Sequence, residues 1–283
     1  MAKFILSAFS DEYSSSFDEQ IIGLQKNEVG YMEIRGVDGK NIASLNAGEA
    51  KAVKKKLDGG GIKISSIGSP IGKIKLTDDF AKHLDVLKNV CETAAILDTD
   101  MVRMFSFYLP SDDIVSYKNE VTEKIGVMLD VADKYSIALC HENEKGIYGD
   151  IPSRCLELIQ TFDGRLKCVF DHANFIQCES QPYPDGFELL KDYIRYMHIK
   201  DAEADGQIAV AGKGIGQITE TLRDLNKMYD SEMILTVEPH LKVFTGLSDL
   251  EGGERTKLKN TFATNEEAFG AAVAGLRDCI RNI

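Results

Sequence analysis

The chain has 283 residues, 43% hydrophobic and 28% charged, with 33 Lys and Arg against 45 Asp and Glu for a formal net charge of −12. That size and composition suit a globular chain with a substantial core; the negative charge has the wrong sign for a general binder of phosphate backbones, so nucleic acid is not expected as a partner. No apolar run approaches the roughly 18 residues that span a bilayer, and the opening "MAKFILSAFSDEYSSS" turns acidic too early for a secretory signal, so no membrane association and a cytoplasmic location are expected. Six cysteines (Cys91, Cys140, Cys155, Cys168, Cys178, Cys279) form no C-x-x-C pair and read as reduced, mostly buried thiols.

From the N terminus, short apolar-rich runs alternate with stretches whose apolar residues recur at three- and four-residue spacing. "KFILSAF" (3–9) reads as a strand and "SFDEQIIGLQKN" (16–27) as a helix, opened by a Ser-x-x-Glu capping box between Ser16 and Glu19. "GYMEIRG" (30–36) is the next strand, and "AGEAKAVKKKLDGGG" a helix stopped by glycines 59–61. Further strands are predicted at 62–69, 100–107, 136–142, 166–172, 194–200 and 233–239, and helices at 78–98, 119–135, 152–162, 186–194, 216–229 and 265–280. Strands apolar on both faces, each followed by an amphipathic helix, imply a parallel sheet covered by helices. About eight such units in this length match an α/β fold of one closed type, the eight-stranded parallel (β/α) TIM barrel. A doubly wound sheet is the alternative; against it, "AFSDEYSSS" stands where Gly-x-Gly-x-x-Gly would follow the first strand. With no Pro- or Gly-rich linker, residues 1–283 are expected to form a single domain.

In such a barrel, active sites lie at the C-terminal ends of the strands. The fifth predicted strand ends in His141 and Glu142, the sixth in Asp171, His172, Ala173 and Asn174, the seventh in His198, Ile199, Lys200 and Asp201, and the eighth in Glu238, Pro239 and His240. Four of the five histidines fall in these tails. Carboxylates and an imidazole converging from adjacent strands repel one another unless a cation sits among them. Mixed oxygen and nitrogen donors suit Mn²⁺, Co²⁺, Mg²⁺ or Fe²⁺ and admit Zn²⁺, and no cysteine ligand argues for a softer metal. Taken singly, each residue has a plainer explanation. Glu142 and Glu144 fit a solvated loop, His198 a hydrogen-bonded core histidine, Asp171 a helix N-cap, and Glu238 a partner for Lys200. Their coincidence at four consecutive strand ends favours a metal site.

"CHENEKG", "FDHANF", "HIKDA" followed by "GKGIG", and "VEPHL" resemble the late-strand motifs of the sugar phosphate isomerase/epimerase family, the xylose-isomerase-like TIM barrels. The strand-helix rhythm extends the likeness along nearly the whole chain; the motifs are specific from about residue 136 to 241. The resemblance implies one divalent ion, with Mn²⁺ first in order, held by Glu142, Asp171, His198 and Glu238. Zinc-dependent apurinic endonucleases share the superfamily, but their extra histidines are replaced here by Asn174 and by "EADGQIAVAGKGIG".

The expected activity is that of an isomerase or epimerase on a sugar, polyol or sugar phosphate. A divalent ion polarises a ketose carbonyl and its neighbouring hydroxyl and stabilises an enediolate. By resemblance, Glu142 and Glu238 are the catalytic pair that removes and returns the proton. A metal-dependent dehydratase or lyase of the same fold and a non-catalytic sugar-binding barrel are the alternatives. Asn174, Lys200, Lys145 and Arg103 are candidate substrate-binding residues; the competing reading is an ion pair with Asp201 or Glu238 for Lys200, a plain surface lysine for Lys145 and a buried salt bridge for Arg103. His172 and His240 are candidates for orienting ligands. "AGKGIGQI" (211–218) is read as a loop needing positive φ at Gly212, Gly214 and Gly216 in preference to a phosphate cradle. In the long connection 241–264, Phe244 and Leu247 either close over the substrate or pack on a second subunit, which leaves room for a homo-oligomer.

Overall fold

A strand that is apolar on both faces has no polar side to give to solvent, and eight such strands close on one another in the computed structural model, which describes residues 1–111, 113–243, 257–258 and 262–283. They are β1 (Lys3–Ala8), β2 (Tyr31–Ile34), β3 (Lys63–Ile71), β4 (Met101–Met104), β5 (Ala138–Glu142), β6 (Lys167–Asp171), β7 (Ile194–Ile199) and β8 (Glu232–Val237). Each pairs in parallel with its chain neighbours, and β8 pairs back onto β1 over its whole length. The result is the expected closed eight-stranded barrel.

Helices α1 (Phe17–Lys26), α2 (Ala47–Gly60), α3 (Phe80–Leu97), α4 (Lys118–Asp133), α5 (Pro152–Thr161), α6 (His172–Gln177), α7 (Phe187–Leu190), α8 (Ile218–Met228) and α9 (Asn265–Arg281) follow the strands. Their apolar stripes, with Leu24, Leu87, Ile125, Leu158, Leu222 and Phe269 fully buried, join the strands in one continuous core. Each such side chain contributes on the order of 1.5–3 kcal/mol of burial. Among the described residues no helix is long and apolar enough to cross a membrane.

Two local expectations change. Ser16 caps no amide of α1; the Phe17 N–H donates to Asp38 Oδ1 at 2.8 Å, an ionisable acceptor that the positive end of a helix favours over a hydroxyl. The capping box forms at α2, between Asn46 and Glu49. Helix α6, absent from the sequence reading, starts directly at the end of β6, where Asp171 is its N-cap. The glycine stop behaves as expected, with Gly61 left-handed (φ 67°) at the end of α2.

Strand parity positions the site. Met101, Cys140, Val169 and Tyr196, with Ile234 against them, form a separate small apolar cluster, one residue from each of β4 to β8. Residues two apart on a strand share a face, so Arg103, Glu142, Asp171, His198 and Thr236 form the next layer up, and Lys200 and Glu238 the layer above. All seven are buried, so a polar layer rests on an apolar floor inside the barrel mouth.

Candidate active site

Glu142, Asp171, His198 and Glu238 each offer a donor atom, and the four atoms lie within 4.8 Å of one another. His198 is central: Nδ1 is 2.8 Å from Glu142 Oε1 and 3.6 Å from Glu238 Oε2, and Nε2 is 3.0 Å from Glu33 Oε2. Burial alone would lower the histidine pKa, but the Glu142 and Glu33 carboxylates overcome it and raise it to about 10. Burial pushes both Glu142 and Glu238 up, and the surrounding cations reverse the shift: His198 and Arg103 pull Glu142 below its usual range, while Lys200, His198 and Arg35 pull Glu238 well below it. Burial holds the adjacent His240 well below its own usual range, so it stays neutral. For Asp171 burial wins over Lys200, and its carboxyl is raised.

The strand ends are tied together by short polar links. Asn143 grips the backbone of Asp171 twice, donating to its carbonyl and accepting from its N–H, both at 2.9 Å. Asp171 Oδ1 accepts the Asn174 N–H at 2.9 Å, so the helix-cap role foreseen for Asp171 is real for one oxygen and leaves Oδ2 facing the cluster. Asn174 sends its side-chain amide to the Asn143 carbonyl at 2.9 Å and to Glu142 Oε1 at 3.4 Å. Lys200 Nζ sits 2.9 Å from Glu238 Oε2 and 3.3 Å from Asp171 Oδ2. Arg103 pairs with Glu142 Oε2 at 3.2 Å and stacks its guanidinium near Phe9 and Phe105. These three predicted substrate-binding residues thus border the cavity while also holding the cluster. Lys145 stands apart from them, exposed at the cavity rim beside Glu144.

The sequence reading missed the contribution of the first half of the barrel. Glu33 and Arg35 lie on β2 and just beyond it, and Glu12 follows β1; all three are buried. Arg35 binds Asp11 in a fork (2.8 and 3.0 Å), Glu12 at 3.2 Å and Glu238 at 3.4 Å. Burial raises the Glu12 carboxyl to about 8 against the pull of Arg35. His240 Nε2 is 3.4 Å from both Glu12 and Glu238, and this trio also has the spacing of a cation site, where the Arg35 guanidinium already supplies the positive charge. His172 turns away from the cluster, its Nε2 3.0 Å from Thr221 Oγ1, so it does not touch the four donors.

The glycine-rich loop is not built as expected. Only Gly212 of the three glycines has positive φ (77°). The amides of Gly212, Gly214 and Gly216 all donate to the Asp201 carboxylate at 2.9–3.0 Å, so the loop cradles an anion of its own chain. Gly214 and Gly216 are glycines because of proximity: a Cβ on Gly214 would meet the Ala202 carbonyl at 2.3 Å, and one on Gly216 would meet Asp201 Oδ1 at 2.7 Å. Gly214→Ala is expected to cost about 1–3 kcal/mol in urea unfolding, and an unchanged midpoint would mean that the loop moves aside freely.

The cluster fits a divalent cation. Glu142 Oε2 and Asp171 Oδ2 are buried with no hydrogen-bond partner, although buried polar atoms are ordinarily satisfied. Their neighbours Arg103 and Lys200 stand at ion-pair distance without completing a hydrogen bond. Hard carboxylate oxygens with one imidazole form a donor set suited to such an ion. The cluster opens into a cavity of about 500 Å³ bordered by Lys73, Phe105, Tyr108, Lys145, Gln177 and Ile208, ample for a small polar molecule. Phe244 and Leu247 lie outside the described residues.

No curated protein matches the chain in sequence. Solved structures with the same fold include D-psicose 3-epimerase from Clostridium cellulolyticum H10 (14% identity, TM-score 0.69, 98% of each chain covered). The probable 3-DHS dehydratase AsbF of petrobactin synthesis from Bacillus anthracis is also similar (16% identity, TM-score 0.73, 98% of this chain and 99% of that one). So is the IOLI protein, solved with a bound zinc atom (15% identity, TM-score 0.72, 98% of each chain). At these identities the likeness shows the shared fold. The xylose isomerase-like TIM barrel family matches residues 24–258, and the chain belongs to it.

Proposed function

We propose that the protein is a divalent-metal-dependent isomerase or epimerase of a small carbohydrate, acting by proton transfer at the carbon beside a ketose carbonyl. One observation carries this reading: Glu142 and Glu238, both buried, approach the same His198 nitrogen from different strands, at 2.8 and 3.6 Å, at the floor of an open cavity. Glu142, Asp171, His198 and Glu238 would hold the ion, Mn²⁺ by preference. When bound, it supplies Lewis acidity toward a carbonyl and its adjacent hydroxyl. The chain's own groups do the rest. Neighbouring cations keep both glutamates ionised, the form in which a carboxylate accepts a proton. One glutamate removes the proton and the other returns one. The Lys200 ammonium, beside Glu238 and Asp171, faces the cavity as a donor to a developing oxyanion. The residues of this mouth keep the two carboxylates buried and fix them relative to each other.

Lys200 also favours a second reading. An ammonium within 2.9 Å of a candidate base can protonate a leaving hydroxyl, which is what a dehydratase requires, and one structural neighbour is described as a probable dehydratase. Six free cysteines, five of them buried, suit a reducing, cytoplasmic setting. The test is incubation of the Mn²⁺-loaded protein with a panel of ketoses and ketose phosphates in D₂O, followed by NMR and mass spectrometry. Deuterium at the carbon next to the carbonyl supports proton transfer, product lighter by one water supports the dehydratase, and binding without either leaves a non-catalytic sugar-binding barrel.

A further inference from the structure

Glu33 lies on the inward face of β2, fully buried, on a strand far in sequence from the cluster above it. Both of its oxygens are engaged. Oε1 accepts the Tyr196 hydroxyl at 3.0 Å, and Oε2 is 3.0 Å from His198 Nε2. Tyr196 is held in turn by Ser66, whose Oγ is 3.2 Å away. The imidazole is also held edge-on against Phe9, with ring centroids 5.1 Å apart at 80°. A carboxylate accepts hydrogen bonds and does not donate them, so the ring nitrogen facing Glu33 must carry a hydrogen. Nδ1, 2.8 Å from Glu142 Oε1, also faces a carboxylate and by the same rule carries a hydrogen until a cation among the four donors takes that proton's place, whereas Nε2 keeps the hydrogen directed at Glu33.

We infer that Glu33 is the positioning residue for His198: it fixes Nε2 as the protonated nitrogen and turns Nδ1 into the cluster as a metal donor. The inference rests on the metal reading of the same site. Histidine ligands commonly give their other N–H to a carboxylate, which sets ring orientation and tautomer. Here that carboxylate comes from β2, so the first half of the barrel orients a donor of the second half.

Zn²⁺ is the probe, because it is diamagnetic and suits the donor set. Long-range ¹H–¹⁵N spectra of the zinc-loaded protein resolve only five histidines, with His198→Gln as the assignment control. The expected spectrum shows His198 protonated at Nε2 and zinc-bound at Nδ1. In calorimetry, Glu33→Ala is expected to weaken zinc binding about 10–100-fold, and Glu33→Gln, whose amide oxygen still accepts from Nε2, to recover most of that loss. Circular dichroism of each variant separates this from unfolding. Zinc bound through Nε2, or Glu33→Ala binding zinc as wild type does while His198→Gln does not, overturns the inference and leaves the metal site standing. A loss that Glu33→Gln fails to recover also overturns it. Wild type that takes up no zinc overturns the metal reading and the inference with it.

Discussion

Arg35→Leu is expected to lower folding stability by about 3–5 kcal/mol, the typical cost of breaking a buried ion pair by removing one partner. The guanidinium is 3% exposed and is the shared partner of Asp11, Glu12 and Glu238, with a fork to Asp11 and its face 4.3 Å from the Phe9 ring centroid. Leucine replaces the volume but leaves three carboxyl groups around an apolar gap. Burial already raises the Glu12 carboxyl to about 8, and without Arg35 it loses its main opposing charge and rises further above its unfolded value. At this group the folded variant therefore binds more protons than its unfolded chain, and its stability falls as pH rises. The deficit is therefore larger at pH 8 than at pH 6. Arg35→Lys keeps the charge but not the fork, and should fall between leucine and wild type. Urea titrations at the two pH values measure all of this. A leucine variant within about 0.5 kcal/mol of wild type, the usual range of surface substitutions, would show that the three carboxylates need no cation.

Arg35 also marks the limit of what sequence alone revealed. The barrel was legible because its strands are apolar on both faces and separated by amphipathic helices, a rhythm that survives without tertiary information. The four late-strand donors were legible for a similar reason: Glu142, Asp171, His198 and Glu238 interrupt apolar runs at their C-terminal ends. Glu33 and Arg35 carry the same signal in weaker form. In "YMEIRG" two charged residues stand two apart, on one face of a strand, and a strand buried on both faces offers no solvent to either. Read that way, β2 would have been added to the list of site strands. Glu12 gave no such signal, because it follows β1 in a 3₁₀ turn and reaches Arg35 only through chain closure. The misplaced capping box has a different cause. Ser16 and Glu19 had the right spacing, but Asp38, brought over by the tight turn after β2, offered the Phe17 amide a better acceptor. The glycine-rich loop failed for a third reason. Its glycines answer to the Asp201 carboxylate packed against them, a contact invisible in the spacing of the glycines themselves.

Glu142→Gln and Glu238→Gln are each expected to slow interconversion of substrate and product by about 10²–10⁴-fold, the range attributable to one positioned proton-transfer group. The substitution keeps shape and removes basicity, and loading must be matched at saturating Mn²⁺, because each residue is also a proposed ligand. The two variants say more together than either alone. If the carboxylates serve opposite faces of one carbon, a variant lacking one base can still remove and return a proton on the face served by the other. Glu142→Gln would then exchange deuterium into one epimer and Glu238→Gln into the opposite epimer, with net epimerisation lost in both. Transfer between neighbouring carbons by a single shared base gives another pattern, in which one variant loses exchange from both substrates and the other keeps it. Arg103 on Glu142 and the Lys200 and Arg35 pair on Glu238 make the two carboxylates unequal in charge environment, with more cations around Glu238. The carboxylate with fewer cations is the stronger base, so proton removal by Glu142 should be the easier step, and the variant retaining only Glu142 should show the faster residual exchange. Equal activity of both variants and wild type would remove these glutamates from the chemistry and leave them as structural parts of the barrel mouth.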